Sequence, residues 1–274
     1  MIEPTPTTQA PAETAPPGES WARRLKLKSW GAYLVATLII LAIWEAAALA
    51  LPSFLMPDVP VVLARLGREL TGAEFYQRVL GSLMRLAIGY GAALALGTLL
   101  GLLASASNFM RRSLKALVVI LQSIPSIAWV PLFLILMGFG NLPIIVVVGI
   151  AAFFPTALSV MNATESVSKV HLQAAQVMGA QRWQLIRRVY APAVTPELIT
   201  GAQVAFGNAW RALISAEMLI GFGEGIGRSL AYSGEIADMP GVLTGILVIA
   251  VLAALIDQVI LEGAKRRLLR YRYE

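Results

Sequence analysis

The sequence has no cysteine and one histidine, His171, among its 274 residues. Without thiols, disulfide frameworks, iron–sulfur clusters, thiolate metal sites and cysteine nucleophiles are excluded. A lone histidine builds no metal site. No HExxH, GxSxG or Walker A sequence occurs either, so no catalytic or nucleotide-binding constellation is visible. Charge is scarce: 14% of residues are charged against 57% hydrophobic, and mean hydropathy is +0.71. A water-facing surface on a chain of this length needs far more charge. Lipid supplies the missing apolar surroundings. The apolar stretches are continuous and do not alternate at a period of two, which favours helices over a barrel as the spanning element.

What charge there is has a pattern. The net charge of +6 is not spread as a nucleic-acid-binding patch but clustered at the ends of apolar segments, which orients membrane proteins. Six such segments run roughly over 31–51, 79–104, 114–138, 143–162, 195–220 and 241–262, each long enough to span or nearly span a core of ~30 Å. With both termini cytoplasmic, sixteen of the 22 Lys and Arg fall in inside segments. Only Arg65, Arg68, Arg78 and Arg228 fall outside, and Arg85 and Arg211 lie within spans. The expectation is an all-α polytopic membrane protein with six transmembrane helices and both termini cytoplasmic. Residues 1–28 read as a Pro/Thr/Ala-rich disordered tail and basic juxtamembrane segment, 29–270 as the six-helix domain, and 271–274 as a cytoplasmic end. The late basic cluster and the long apolar run behind it do not read as a signal peptide. Residues 52–78 alternate apolar and charged positions as an interfacial amphipathic helix does.

The inside segment 163–193 is unlike the others: too long for a connector and too patterned for a floppy loop. Leu172, Ala175, Val177 and Met178 supply one short helix, which Gly179 breaks. Trp183, Leu185, Ile186 and Val189 supply a second, expected to end before Pro192. The product is a helix–turn–helix that presents an apolar and basic knob to something in the cytoplasm.

Gln173-Ala174-Ala175, then Gly179 after three residues, then Val189 and Pro192, reproduce a known spacing. It resembles the EAA loop of permease subunits of binding-protein-dependent ABC importers. The chain departs from that pattern at Gln173, where Glu is frequent, and at Ala191, where Leu is usual. LPSFLMPDVPVVL, QSIPSIAWVPLFLILMGFG, GAQRWQLIRRV and WRALISAEM resemble the branch importing sulfonates, taurine or nitrate, and the likeness runs from about Trp30 to Arg270. The resemblance implies a type I ABC importer permease in the bacterial inner membrane, itself not an enzyme. It implies a second permease subunit (a homodimer, or beside a similar chain), ABC ATPase subunits that bind the ATP and Mg, and an extracytoplasmic substrate-binding protein. No cofactor or metal is expected in this chain. The coupling loop would comprise Gln173, Ala174, Ala175, Gly179, Ala180, Arg182, Trp183 and Pro192, its small alanines permitting close approach to an ATPase groove. The alternative is a self-sufficient secondary carrier or channel. That reading calls for inverted repeats and midplane carboxylates, and Glu45, Glu217 and Asp257 all fall away from the bilayer centre.

Polar residues within spans are expensive and mark function or structure. On a helical wheel, Gly201, Ala205, Asn208, Ala212 and Ser215 form a small-and-polar stripe on span five, with Arg211 at its edge. Two readings stand for Arg211: attraction of an anionic solute in a pore, or a structural arginine bonded to a neighbouring helix. Gln122, Ser126 and Trp129 share a face of span three where Pro125 and Pro131 interrupt the backbone, and read as pore lining or as a packing kink. Glu45 and Arg85 lie at similar depth and are expected to form a structural ion pair, with snorkelling of Arg85 as the alternative. Glu217 is expected to serve gate or binding-protein contacts, and Glu262 with Arg266 a solvated pair. Gly97 and Gly101 form a GxxxG step.

Overall fold

The computed structural model describes residue 35, residues 37–261 and residue 263, with side chains at all of these except 169, 171, 172, 182, 260 and 261. The segments 1–28 and 271–274 and the pair Glu262/Arg266 lie outside the described residues. Among those described, every regular element is helical. The chain divides into two compact units, the first ending at Val59 and the second beginning at Pro60.

The first unit contains α1, Thr37–Ala50. The Trp44 indole donates to the Pro57 carbonyl at 3.0 Å, and the Glu45 carboxylate accepts the Val59 N–H at 3.5 Å. Helix α2 runs over Val59–Leu70.

The second unit is organised by three long helices: α3 (Ala73–Ser105), α6 (Asn141–Ser166) and α9 (Ala191–Ile220). Between α3 and α6 come α4 (Asn108–Gln122), a 3-10 turn (Ser126–Trp129) and α5 (Val130–Met137). The short helices α7 (Lys169–Val177) and α8 (Arg182–Leu185) join α6 to α9. Then follow α10 (Ile226–Glu235) and α11 (Met239–Ile256). By length and composition, three helices among the described residues suit a bilayer crossing: α3, α6 and Met239–Val259. A fourth arises if α4 and Ser126–Met137 are one span bent by 86°.

Of the two interruptions expected in the 114–138 segment, at Pro125 and Pro131, the bend lies at the first. A residue before proline is pushed out of the helical region, so Pro125 stops the helix that α4 begins. Pro131 breaks nothing, because it lies in the first turn of α5, where its missing N–H had no partner to lose.

The core forms where α3, α6 and α9 meet, with α3 parallel to α6 and α9 antiparallel to both. Gly89, Ala93, Gly97 and Gly101 are buried at four-residue spacing along α3. A Cβ on Gly97 would lie 2.9 Å from Thr156 Cβ, and one on Gly101 would lie 2.6 Å from Val160 Cβ. Small residues let helices approach this closely inside a membrane, where lipid tails give no hydrophobic reason for them to associate. The same logic corrects part of the expected pore stripe. Gly201 faces the Ser159 side chain with no room for a Cβ, and Ala205 and Ala212 are buried. These three residues are a packing face against α6, flanked by the core side chains Phe206, Trp210 and Leu213.

One polar node sits in this apolar setting. Arg85 and Glu217 form an ion pair with both side chains buried. Arg85 also donates to Asn141 Oδ1 at 2.8 Å and to the Glu224 carbonyl at 2.7 Å. Glu217 accepts from the Ser82 hydroxyl at 2.8 Å and from the Gly227 N–H at 2.9 Å, while Ser82 Oγ accepts the Ile226 N–H at 3.0 Å. Four helices and a loop converge here: α3 through Ser82 and Arg85, α6 through Asn141, α9 through Glu217, and the start of α10 through its free N–H groups. The loop reaches the node because Gly221 and Gly223 take positive φ of 62° and 66°. The expected Glu45–Arg85 pair is therefore corrected: the carboxylate that Arg85 pairs with is Glu217. Glu217 is not an exposed gate residue.

Two outcomes test this packing. Truncating one member of a buried ion pair strands the other, so Glu217→Ala lowers stability by about 3–5 kcal/mol, whereas Glu45→Ala changes it by about 1 kcal/mol or less. Denaturant unfolding of both variants in detergent compares them. Gly101→Leu overpacks the α3–α6 contact and costs at least about 1–3 kcal/mol. Gly91→Leu on the same helix does not, because nothing lies within 4 Å of a Cβ there.

Candidate functional site

Two features outside the core carry chemistry: a cavity beside the α4–α5 break, and the hairpin between α6 and α9. The cavity has a volume of about 280 Å³. Its polar side comprises Gln122, Ser126, Asn208 and Arg211, and Trp129 joins the lining from the 3-10 turn. Five of the seven path candidates, on two distant stretches of sequence, thus meet around one space. Ala205 is in the core instead, and Ser215 is not among the lining residues. The rest of the lining is apolar: Ile124, Pro125, Ile150, Ala151 and Phe154. The last three come from α6, whose unbroken apolar run gives no hint in the sequence of which residues face a cavity.

The α4–α5 break makes the space. Were the helix continuous, Ser126 and Trp129 would be carried along one axis with Gln122. The bend turns them toward α9. Arg211 is exposed and donates to Asn208 Oδ1 at 2.6 Å, one turn earlier on α9. Among the described residues no carboxylate pairs with Arg211, so most of its five donors remain available toward the cavity.

A larger cavity, of about 870 Å³, lies beside the polar node, between α2, the start of α3, the 221–225 loop and α10. It collects Arg65, Arg68, Arg78 and Arg228 but also Glu69, Glu74, Glu224 and Asp238. Arg65 pairs with Glu69 and Asp238 at 3.2 and 3.1 Å, and Arg78 pairs with Glu69 at 3.6 Å. Its charges are balanced internally, unlike those of the smaller cavity.

The hairpin is built by two complementary end signals. Helix α7 stops in a Schellman motif: the Ala180 N–H bonds the Ala175 carbonyl at 3.0 Å, the Gly179 N–H bonds the Gln176 carbonyl at 2.9 Å, and Gly179 takes φ +81°. Helix α8 starts with half a capping box, in which the Gln184 side chain accepts the Gln181 N–H at 2.9 Å. Helix–stop–start fits into four residues, as the spacing predicts. Pro192, however, does not end the second helix. A π-helical turn over Ile186–Tyr190 carries the chain straight into α9, with Pro192 in that helix's first turn. The wider turn relieves the clash that a proline makes with the carbonyl four residues before it.

The hairpin exposes apolar groups to an unusual degree: Val177 is 89% exposed, Met178 80% and Trp183 66%. Gln173 and Ala174 are exposed on α7, while Ala175 is buried. The side chains of His171 and Arg182 lie outside those described. The base is anchored differently. Tyr190 and Leu198 pack on Ala163, Val167 and Val194, and burial pushes the Tyr190 phenol above its ordinary pKa. Nearby, Ser105 and Thr164 share a hydroxyl hydrogen bond of 2.8 Å, and Glu165 pairs with Arg111 and Lys115 at 3.0 and 3.2 Å. The cytoplasmic-side ends of α3, α4 and α6 in the expected topology are thereby tied together beside the hairpin. Among the described residues no cluster of His, Asp or Glu is placed to hold a metal ion.

Comparison with known proteins identifies the relatives of this chain. Residues 93–261 match the family described as binding-protein-dependent transport system inner membrane component. The taurine transport system permease protein TauC of Escherichia coli (strain K12) is 32% identical over 84% of this chain and 86% of its own length. The putative aliphatic sulfonates transport permease protein SsuC of Bacillus subtilis (strain 168) is 28% identical over 97% of this chain and 95% of its own. The nitrate import permease protein NrtB of Synechococcus elongatus is 28% identical over 73% and 75%. Among solved structures, a chain of the MetNI methionine ABC transporter in an inward-facing conformation superposes with a TM-score of 0.58 at 21% identity. It covers 71% of this chain and 96% of that one, a shared fold. With the hairpin spacing, the helical core and a family match that spans most of the chain, this protein belongs to the binding-protein-dependent transport system inner membrane components.

Proposed function

We propose that the chain is the membrane-spanning permease subunit of an ATP-driven importer for small organic or inorganic anions of the sulfonate, taurine or nitrate type. It crosses the bacterial inner membrane six times with both termini in the cytoplasm. The observation that carries this reading is the hairpin: a short, sharply built helix pair whose apolar side chains have no cover among the described residues. Val177, Met178 and Trp183 are the kind of surface a partner buries. The occupant we assign is an ABC ATPase subunit, which binds the ATP and Mg that this chain has no motif to hold. The exposed Gln173 and Ala174 lie on α7, the helix that enters the ATPase groove. Gly179 and Ala180 set the bend, and Arg182, Trp183 and Pro192 orient the second arm.

In this scheme a second permease subunit, most simply another copy, completes the pore. An extracytoplasmic binding protein delivers the solute. The cavity around Arg211 is the part of the path that meets the anion: Gln122, Ser126 and Asn208 supply hydrogen bonds, Trp129 a rigid wall, and the guanidinium the charge. Movement of the hairpin as the ATPase pair closes is transmitted directly into α9, because the π-helical turn leaves no flexible linker between them.

Two outcomes test the reading. Trp183→Ala removes an exposed ring, so the chain folds as before but binds its ATPase subunit at least tenfold more weakly in a pull-down titration. Undiminished binding contradicts the docking surface. Arg211→Gln keeps the Asn208 hydrogen bond and removes the charge, and ATP-dependent anion uptake in proteoliposomes falls at least tenfold. Uptake at the wild-type rate removes Arg211 from the path.

A further inference from the structure

The lining of the Arg211 cavity says more about the solute than its charge. Resting on the path assigned above, we infer that this cavity selects a monoanion with a short apolar tail and no cationic group, such as an unsubstituted alkanesulfonate. It disfavours both a bare inorganic oxyanion and a zwitterion.

Three observations carry this. The cavity has one charged residue, Arg211, so it offers a single anionic head a charge-assisted partner, with Gln122 and Ser126 beside it. None of the described lining residues is acidic. An ammonium group entering with the solute would therefore lose water without gaining a carboxylate. Trp129 offers only an aromatic face, a partial substitute. The apolar part of the lining includes Ile150, Ala151 and Phe154, which cover a hydrocarbon tail and give nothing to a nitrate ion that is hydrated on every side. A volume of about 280 Å³ holds a head group and several methylenes. The larger cavity makes the contrast: its arginines are matched by Glu69, Glu74, Glu224 and Asp238, so it shows no such preference for one sign.

The test uses the full chain assembled with its ATPase subunits in lipid nanodiscs. The binding protein is left out, so that its own selectivity does not contribute. Calorimetric titration with sodium salts of ethane-, propane- and butanesulfonate is expected to show affinity rising about fourfold per added methylene. Nitrate falls below the whole series. The 2-amino derivative of ethanesulfonate binds at least tenfold more weakly than ethanesulfonate itself. Phe154→Ala flattens the dependence on tail length, and Arg211→Gln abolishes binding of every probe. Equal affinities along the series, or an aminoethanesulfonate as tight as ethanesulfonate, overturns the inference yet leaves the anion path standing so long as Arg211→Gln still abolishes binding. Binding that survives Arg211→Gln, or no saturable binding by any probe to the wild type, overturns the path itself and this inference with it.

Discussion

The buried pairing of Arg85 with Glu217 is the constraint from which the rest of the second unit follows. Taking two charges out of water cancels much of their attraction, so such a pair adds less stability than its Coulomb energy suggests. What it fixes is geometry. The hydrogen bonds each partner makes besides the pair specify one arrangement: Ser82 on α3 and the Gly227 N–H of α10 meet Glu217, and Asn141 at the start of α6 meets Arg85. One end of the three-helix core is thereby held in a single register. The small-residue contact between α3 and α6 continues that register toward the other end, through Gly97 against Thr156 and Gly101 against Val160.

Both features to which we assign a function lie where this packing gives out. Proline breaks the helical ladder after α4, the chain turns by 86°, and a cavity opens whose polar groups come from the break and from the exposed side of α9. At the opposite end from the node, the hairpin exposes its apolar groups while its base is anchored through Tyr190 and the Ala163–Val167–Val194 cluster. Helix α9 links all three places. It begins at the hairpin, carries Asn208 and Arg211 past the cavity, and ends with Glu217 in the node. In the proposed scheme this helix has a driven end, a solute-facing middle and an anchored end, as rocking between two access states requires.

Much of this was legible in the sequence, for identifiable reasons. The hairpin obeys local rules, glycine at a positive-φ stop and glutamine at a start, so spacing alone located it. The cavity residues Gln122, Ser126, Trp129, Asn208 and Arg211 stood out because polar groups in apolar runs are rare. What was not legible depended on pairing between distant segments. Arg85 had two carboxylates at suitable depth, Glu45 and Glu217, and nothing local distinguishes them. The stripe containing Gly201, Ala205 and Ala212 reads identically as pore lining or packing face, because both need small side chains. Only the position of Ser159 on α6 decides between them. Pro192 read as a helix end because the compensating π-helical turn leaves no residue signature of its own.

The central claim is that this chain moves solute only when a separate ATPase drives its hairpin. Uptake of a labelled alkanesulfonate into proteoliposomes, with the purified chain alone or with its ATPase subunits, binding protein and ATP, tests it most directly. Uptake confined to the complete, ATP-supplied assembly is the predicted result, whereas full-rate uptake by the chain alone would contradict it.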